Sequence, residues 1–162
     1  MHRLLLLVVL ALLVPGPRAK AQDLHRWWEL NCGDTCHGHA GTFARRSLRV
    51  VDGQLVGVHP DRDLREFLGR HGVPGEGIEA VYAMLLAQVE SGEVFKPRCG
   101  QCHGTAAAFV RQSVELRDGV PFARRAKRSL SAFLPGHAGI RADEVAFFIE
   151  LLARVKREVG KP

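Results

Sequence analysis

The chain has 162 residues, 46% of them hydrophobic and 25% charged, with a formal charge of +6. Its Lys and Arg residues are scattered and lack interleaved aromatics, which excludes a nucleic-acid surface of the ordinary basic kind. This length accommodates one domain or two very small ones.

Met1-His2-Arg3 precedes an unbroken apolar run of 11 residues, Leu4 to Val14. A bilayer span needs about 20 helical residues, so the run reads as the core of a secretory signal peptide. Pro15-Gly16-Pro17 and the small-x-small triplet Ala19-Lys20-Ala21 predict cleavage before Gln22. Retention as an anchor is the alternative, and either reading places the protein in the periplasm or otherwise outside the cytoplasm. Loss of residues 1–21 takes Arg3, Arg18 and Lys20 with it and leaves the mature chain near +3, with no stable membrane span.

Asp23 is predicted to cap a short helix through Trp27, Trp28 and Leu30. That helix leads into Cys32-Gly33-Asp34-Thr35-Cys36-His37. Val50-Val51 and Gln54-Leu55-Val56 flank the turn signal Asp52-Gly53 and predict a small hairpin. Leu64 to Leu68 reads as a helical stretch ending at Gly69, and Glu79 to Val89 as a stronger helix. Glu90-Ser91-Gly92-Glu93 reads as a linker, after which Phe95-Lys96-Pro97 enters Cys99-Gly100-Gln101-Cys102-His103. Asp118-Gly119 is a second turn, but Pro121 confines any strand there to an edge. Leu130 to Leu134, ending at Pro135, and Asp143 to Val155 complete the predicted helices.

The order of elements repeats because the sequence does. At a constant offset of 66 residues, Cys36–Val89 overlays Cys102–Val155 without a gap, and 19 of 54 positions are identical. The boundaries expected are a signal peptide at 1–21, a first unit at 22–92 and a second at 93–162. Each unit is too short for a robust polypeptide core of its own, which points to a prosthetic group as filling.

The motifs name that group. In Cys-x-x-Cys-His, two thiols add to the vinyl groups of haem and the adjacent histidine binds the iron. Cys99, Cys102 and His103 fit this pattern, and Cys32, Cys36 and His37 repeat it with one extra residue between the cysteines. That extra residue predicts either a longer loop with two thioethers or a single thioether through Cys36. All four cysteines fall in these two sites.

The distal side follows from the overlay. Only His71 and His137 survive it besides the motif histidines, each 34 residues after His37 or His103 in a Phe-Leu-x-x-His context. They are the expected distal iron ligands, with a capping or surface role as the alternative. His25, His39 and His59 have no repeat partner and read as structural, His59 being a reserve ligand for the first site. Met84 overlays Glu150 and reads as core filling.

The chain resembles the c-type cytochromes, specifically small di-haem cytochromes made of two tandem class I-like units. The resemblance rests on Cys99–Gly104, on the variant first motif, and on Phe133-Leu134-Pro135-Gly136-His137 followed by a terminal helix. It implies a mainly α fold of two haem-binding units, with a short β-hairpin in the first or both, and two covalent haems c. The function implied is single-electron transfer between a redox donor and acceptor rather than catalysis. Six-coordinate iron with two imidazoles has no position open to substrate. Two other readings remain open. One is a haem enzyme or gas sensor with a labile distal ligand at the first site. The other is a haem subunit of a larger oxidoreductase, docked through Trp27, Trp28 and the run Arg124-Arg125-Ala126-Lys127-Arg128.

Overall fold

The computed structural model describes residues 22–58 and 63–160; the expected signal peptide and His59 lie outside them. The chain is mainly helical, 61% helix and 12% strand, with two small antiparallel sheets. No helix among the described residues is long and apolar enough to cross a membrane.

The first half runs α1 (Leu24–Trp28), a π-helix (Glu29–His37), α2 (Ala40–Ser47), β1 (Arg49–Val51), β2 (Gln54–Val56), α3 (Leu64–Arg70), a 3₁₀ turn (Gly75–Gly77) and α4 (Ile78–Glu90). The second half runs α5 (Phe95–His103), α6 (Ala106–Ser113), β3 (Val114–Arg117), β4 (Val120–Ala123), β5 (Arg128–Ser129), α7 (Leu130–Phe133) and α8 (Ala142–Glu158). The offset of 66 holds in three dimensions, since α2 and α6 begin and end on overlaid residues. Asp52-Gly53 and Asp118-Gly119 both take positive φ at two successive residues, the two-residue hairpin turn for which Asp-Gly is suited.

Asp23 caps α1 as expected, its carboxylate accepting the Arg26 N–H at 2.9 Å. Two expectations need correction. Helix α3 passes through Gly69 to Arg70, whereas its counterpart α7 stops at Phe133, because Pro135 has no N–H to donate to the next helical hydrogen bond. Pro121 lies in β4, the middle strand of the sheet β3-β4-β5 rather than an edge strand. It is tolerated because β5 pairs only with Phe122 and Ala123, so no third strand reaches Pro121.

Buried side chains form two clusters. One gathers Trp28, Leu48, Leu64, Leu68, Val81, Tyr82, Met84 and Leu85; the other gathers Phe95, Val110, Val114, Leu130, Leu134, Phe148, Leu152 and Val155. Met84, 1% exposed, is core filling, as its position in the first cluster requires. Overlaid pairs such as Leu64/Leu130 and Tyr82/Phe148 occupy matching places, so one packing scheme is used twice.

Polar contacts tie the halves together. Asp23 binds Arg111 through both carboxylate oxygens at 2.7 and 3.0 Å. Buried His25 meets the Glu158 carboxylate at 2.8 Å, and Arg154 reaches both Glu158 and Ser91. Burial would raise the Glu158 pKa, but the His25 hydrogen bond and the Arg154 charge prevail and hold it below the ordinary glutamate value. A depressed carboxylate stabilises above its unfolded-state pKa and loses that contribution as the pH falls through its folded value. Glu158→Ala is therefore expected to cost about 3 kcal/mol at neutral pH, because it strands buried partners. In urea titrations this deficit should shrink below about pH 4, and a deficit independent of pH would refute the assignment.

Candidate functional site

The proximal half of the site is built twice with the same geometry. The His37 and Phe43 rings lie 4.6 Å apart at 57°, and the His103 and Phe109 rings lie 4.6 Å apart at 57°. Behind them, Trp28 meets Phe43 at 5.2 Å and Phe95 meets Phe109 at 5.7 Å. Cys32 and Cys99 are half-buried, while Cys36 and Cys102 are exposed. No two of them are joined in a disulfide. Burial raises the pKa of both half-buried thiols, with Cys36 adding to the effect at Cys32 and Arg98 opposing it at Cys99. They are therefore held as thiols, the form slow to exchange into disulfides.

The extra residue of the first motif does not make a loop. It is absorbed in the helix, which becomes a π-helix from Glu29 to His37 where the second motif lies on the α-helix Phe95–His103. The closing hydrogen bonds show the substitution directly: the Gly38 N–H donates five residues back to Gly33, and the Gly104 N–H donates four back to Gly100. An i→i+5 turn holds one more residue than an α turn. Cys32 thereby reaches the same half-buried position beside its cluster as Cys99. Gly38 and Gly104 both end their helices at positive φ, where a side chain would be strained.

The distal halves differ. In the second unit Cys99, Cys102, His103 and His137 line one cavity of about 860 Å³, walled by Phe95, Phe109, Leu130, Phe133, Ile140 and Phe148. The His103 and His137 rings are 6.2 Å apart. In the first unit His71 is the C-cap of the longer α3. Its ring stacks on Phe67 at 3.7 Å, with Nδ1 3.0 Å from the Phe67 carbonyl oxygen. The aromatic rings around His37, among the described residues, are those of Trp28 and Phe43. So the second site is brought together complete, and the first is brought together on its proximal side. Donation from His71 Nδ1 to that carbonyl would leave Nε2 as the lone-pair nitrogen, the usual arrangement of a metal-binding imidazole.

A clamp explains the difference. Arg98 binds Glu144 through two hydrogen bonds, at 2.8 and 3.0 Å, and also reaches the Gly139 carbonyl. It pins the loop after His137 and the start of α8 against the helix carrying Cys99 and Cys102. Glu144 also accepts the Arg141 N–H, which together with Arg98 holds its pKa low. Ala138, directly after His137, is held at φ +52, a costly conformation for a residue with a Cβ. The first unit has Cys32 and Ile78 at the overlaid positions, and neighbouring Asn31 bonds back to the Trp27 carbonyl, so no such clamp forms. Sequence reasoning missed this pair, because neither member has a repeat partner and 46 residues separate them.

The second cavity fits a haem on three counts. Its volume lies within the range of about 300–1,000 Å³ typical of cofactor sites. Its walls are mostly apolar, with two thiols and two imidazoles as the reactive groups. A metal bonded to one nitrogen of each ring at about 2 Å holds the ring centres about 6 Å apart, which matches the observed spacing.

His25 and His39 are structural, as expected. His25 pairs with Glu158, and His39 caps α2 by accepting the Gly41 N–H at 3.3 Å. Burial and neighbouring basic side chains hold the His39 pKa low. Trp28 is buried in the first cluster and Trp27 packs half-buried against it, so packing occupies Trp28 fully and Trp27 in part. No protein-family model, curated protein or solved structure matches the chain, so its function rests on the residues of this site.

Proposed function

We propose that this chain is an exported di-haem c-type cytochrome that carries single electrons between redox partners. The observation that carries the proposal is the convergence of Cys99, Cys102, His103 and His137 on one apolar cavity with its two imidazoles 6.2 Å apart. Cys99 and Cys102 would tether the group, and His103 and His137 would supply ligands to its iron. Phe109 holds the His103 ring, and Arg98 with Glu144 holds the loop that carries His137. At the first site Cys32, Cys36 and His37 would do the same on the proximal side, with His71 as the distal ligand.

When bound, haem supplies an iron that changes oxidation state by one electron, at a potential that two imidazole ligands keep lower than a methionine–histidine pair would. The residues around it have complementary tasks. The phenylalanine and leucine walls exclude water from the iron, and the two histidines deny substrate a coordination position. Carrying electrons rather than transforming a substrate is the role these residues suit. The intact mass of the exported protein tests the proposal, with two haems added to the chain from Gln22 as the expected result.

A further inference from the structure

Duplication gave the two units the same elements but not the same charge. From Gly119 to Ala142, the stretch between the second turn and α8, the chain carries Arg124, Arg125, Lys127, Arg128 and Arg141 and not one carboxylate. The overlaid stretch of the first unit, Gly53 to Glu76, carries Arg62, Arg65 and Arg70 against Asp61, Asp63, Glu66 and Glu76. Arg65 and Arg70 are moreover paired, with Glu79 and Glu66.

The unbalanced charge lies beside the site. Arg125 and Ala126 form part of the wall of the Cys99–His137 cavity. Arg125 and Lys127, on the turn between β4 and β5, and Arg128, which opens β5, are all exposed. None is in an ion pair among the described residues, whereas Arg141 is bound by Asp143. Lys127 sits at φ +52, so the turn projects its cations on a fixed backbone rather than a loose tail. Lys96 brings further positive charge to the same helix as Cys99. At the first motif the exposed residues between the cysteines, Asp34 and Thr35, include a carboxylate instead.

We propose that an acidic redox protein docks on the second unit, over the cavity wall that Arg125 lines and the neighbouring Lys127 and Arg128, the latter lying over the Phe133 ring of the same wall, and that the first unit does not take this partner. The proposal rests on the electron-carrier reading above and adds to it a direction: electrons exchange with the acidic partner through the second site. Opposite charge around a docking site steers encounter and raises association rates by about 10–10³, an effect that salt removes. An acidic protein is favoured over an anionic lipid surface because the cations lie beside an electron-exchange cavity, with Arg125 part of its wall.

The test is stopped-flow reduction of the holoprotein by a reduced plant-type [2Fe–2S] ferredoxin, an acidic one-electron donor. One electron leaves the ferredoxin cluster, ferric iron in this protein becomes ferrous, and no proton or atom moves. The second-order rate should fall steeply from about 0.01 M to about 1 M salt as the screening length shortens from about 30 to about 3 Å. R125E/K127E/R128E should slow it about tenfold or more at low salt, with the visible spectrum and circular dichroism unchanged. R46E/R49E/R70E, the same charge change on the first unit, should slow it by less than about threefold.

A salt-independent rate, or equal loss in both triple variants, would overturn the proposal. So would binding to phosphatidylglycerol vesicles that R125E/K127E/R128E abolishes while leaving the ferredoxin rate intact. Absence of any haem spectrum would instead defeat the electron-carrier reading itself. Binding of labelled ferredoxin, measured by anisotropy, would still report on the docking face.

Discussion

The double substitution Cys99→Ser/Cys102→Ser is expected to remove one haem per chain and to unfold the second unit while sparing the first. Phe95, Leu130, Leu134, Ile140, Phe148 and Leu152 belong both to the second buried cluster and to the cavity wall. The cavity is therefore the middle of the core, not a pocket beside it. Emptying it removes apolar contacts from a unit whose polypeptide core is marginal at this length. Hydrogen exchange should lose its protection across residues 95–159 and keep it across 24–90. A haem-depleted second unit with native protection would show that the polypeptide fills its own core.

His137→Ala should convert the second site from closed to open. The haem would keep both thioethers and its bond to His103 but lose the second imidazole. The ferrous protein should then bind carbon monoxide, with about half of the haem absorbance responding. The ferric site should turn from low to high spin in electron paramagnetic resonance. Arg98→Ala should act in the same direction but more weakly, since Arg98 touches the loop and not the iron. It should speed carbon monoxide binding while leaving the resting spectrum low-spin, and Arg98→Lys should restore only part of the hold because it cannot bind Glu144 with two parallel hydrogen bonds. Indifference of the second site to His137→Ala would place another ligand there.

The proximal architecture was legible in the sequence because it is local. Cysteine spacing, the Asp-Gly turns, the Asp23 cap and the terminal helices each lie within a few residues of their cause. The 66-residue overlay then carried them from one unit to the other. What was not legible depended on contacts across the chain or on backbone alternatives close in energy. The inserted residue between Cys32 and Cys36 reads as a loop if α-helix is taken as the only helical option, yet one π turn holds it with no loss of the closing bond to Gly38. Gly69 looked like a stop because glycine weakens helices, but the substitution that ends the helix is Pro135, and only the second unit has it. That difference, with the Arg98–Glu144 clamp, decides how each distal histidine sits. Trp27 and Trp28 offered themselves as a docking face, as large apolar side chains near a terminus do; packing on the first cluster occupies Trp28 fully and Trp27 in part.

The intact mass of the exported protein, followed by masses of its proteolytic fragments, bears most directly on the central claim of two covalently held haems. The expected result is two haems on the mature chain, one on a fragment containing Cys99 and Cys102 and one on a fragment containing Cys32 and Cys36. One haem, on the Cys99–Cys102 fragment alone, would contradict the di-haem assignment and leave the π-helical motif without its tether. A mature chain with four free thiols and no haem would contradict the account as a whole.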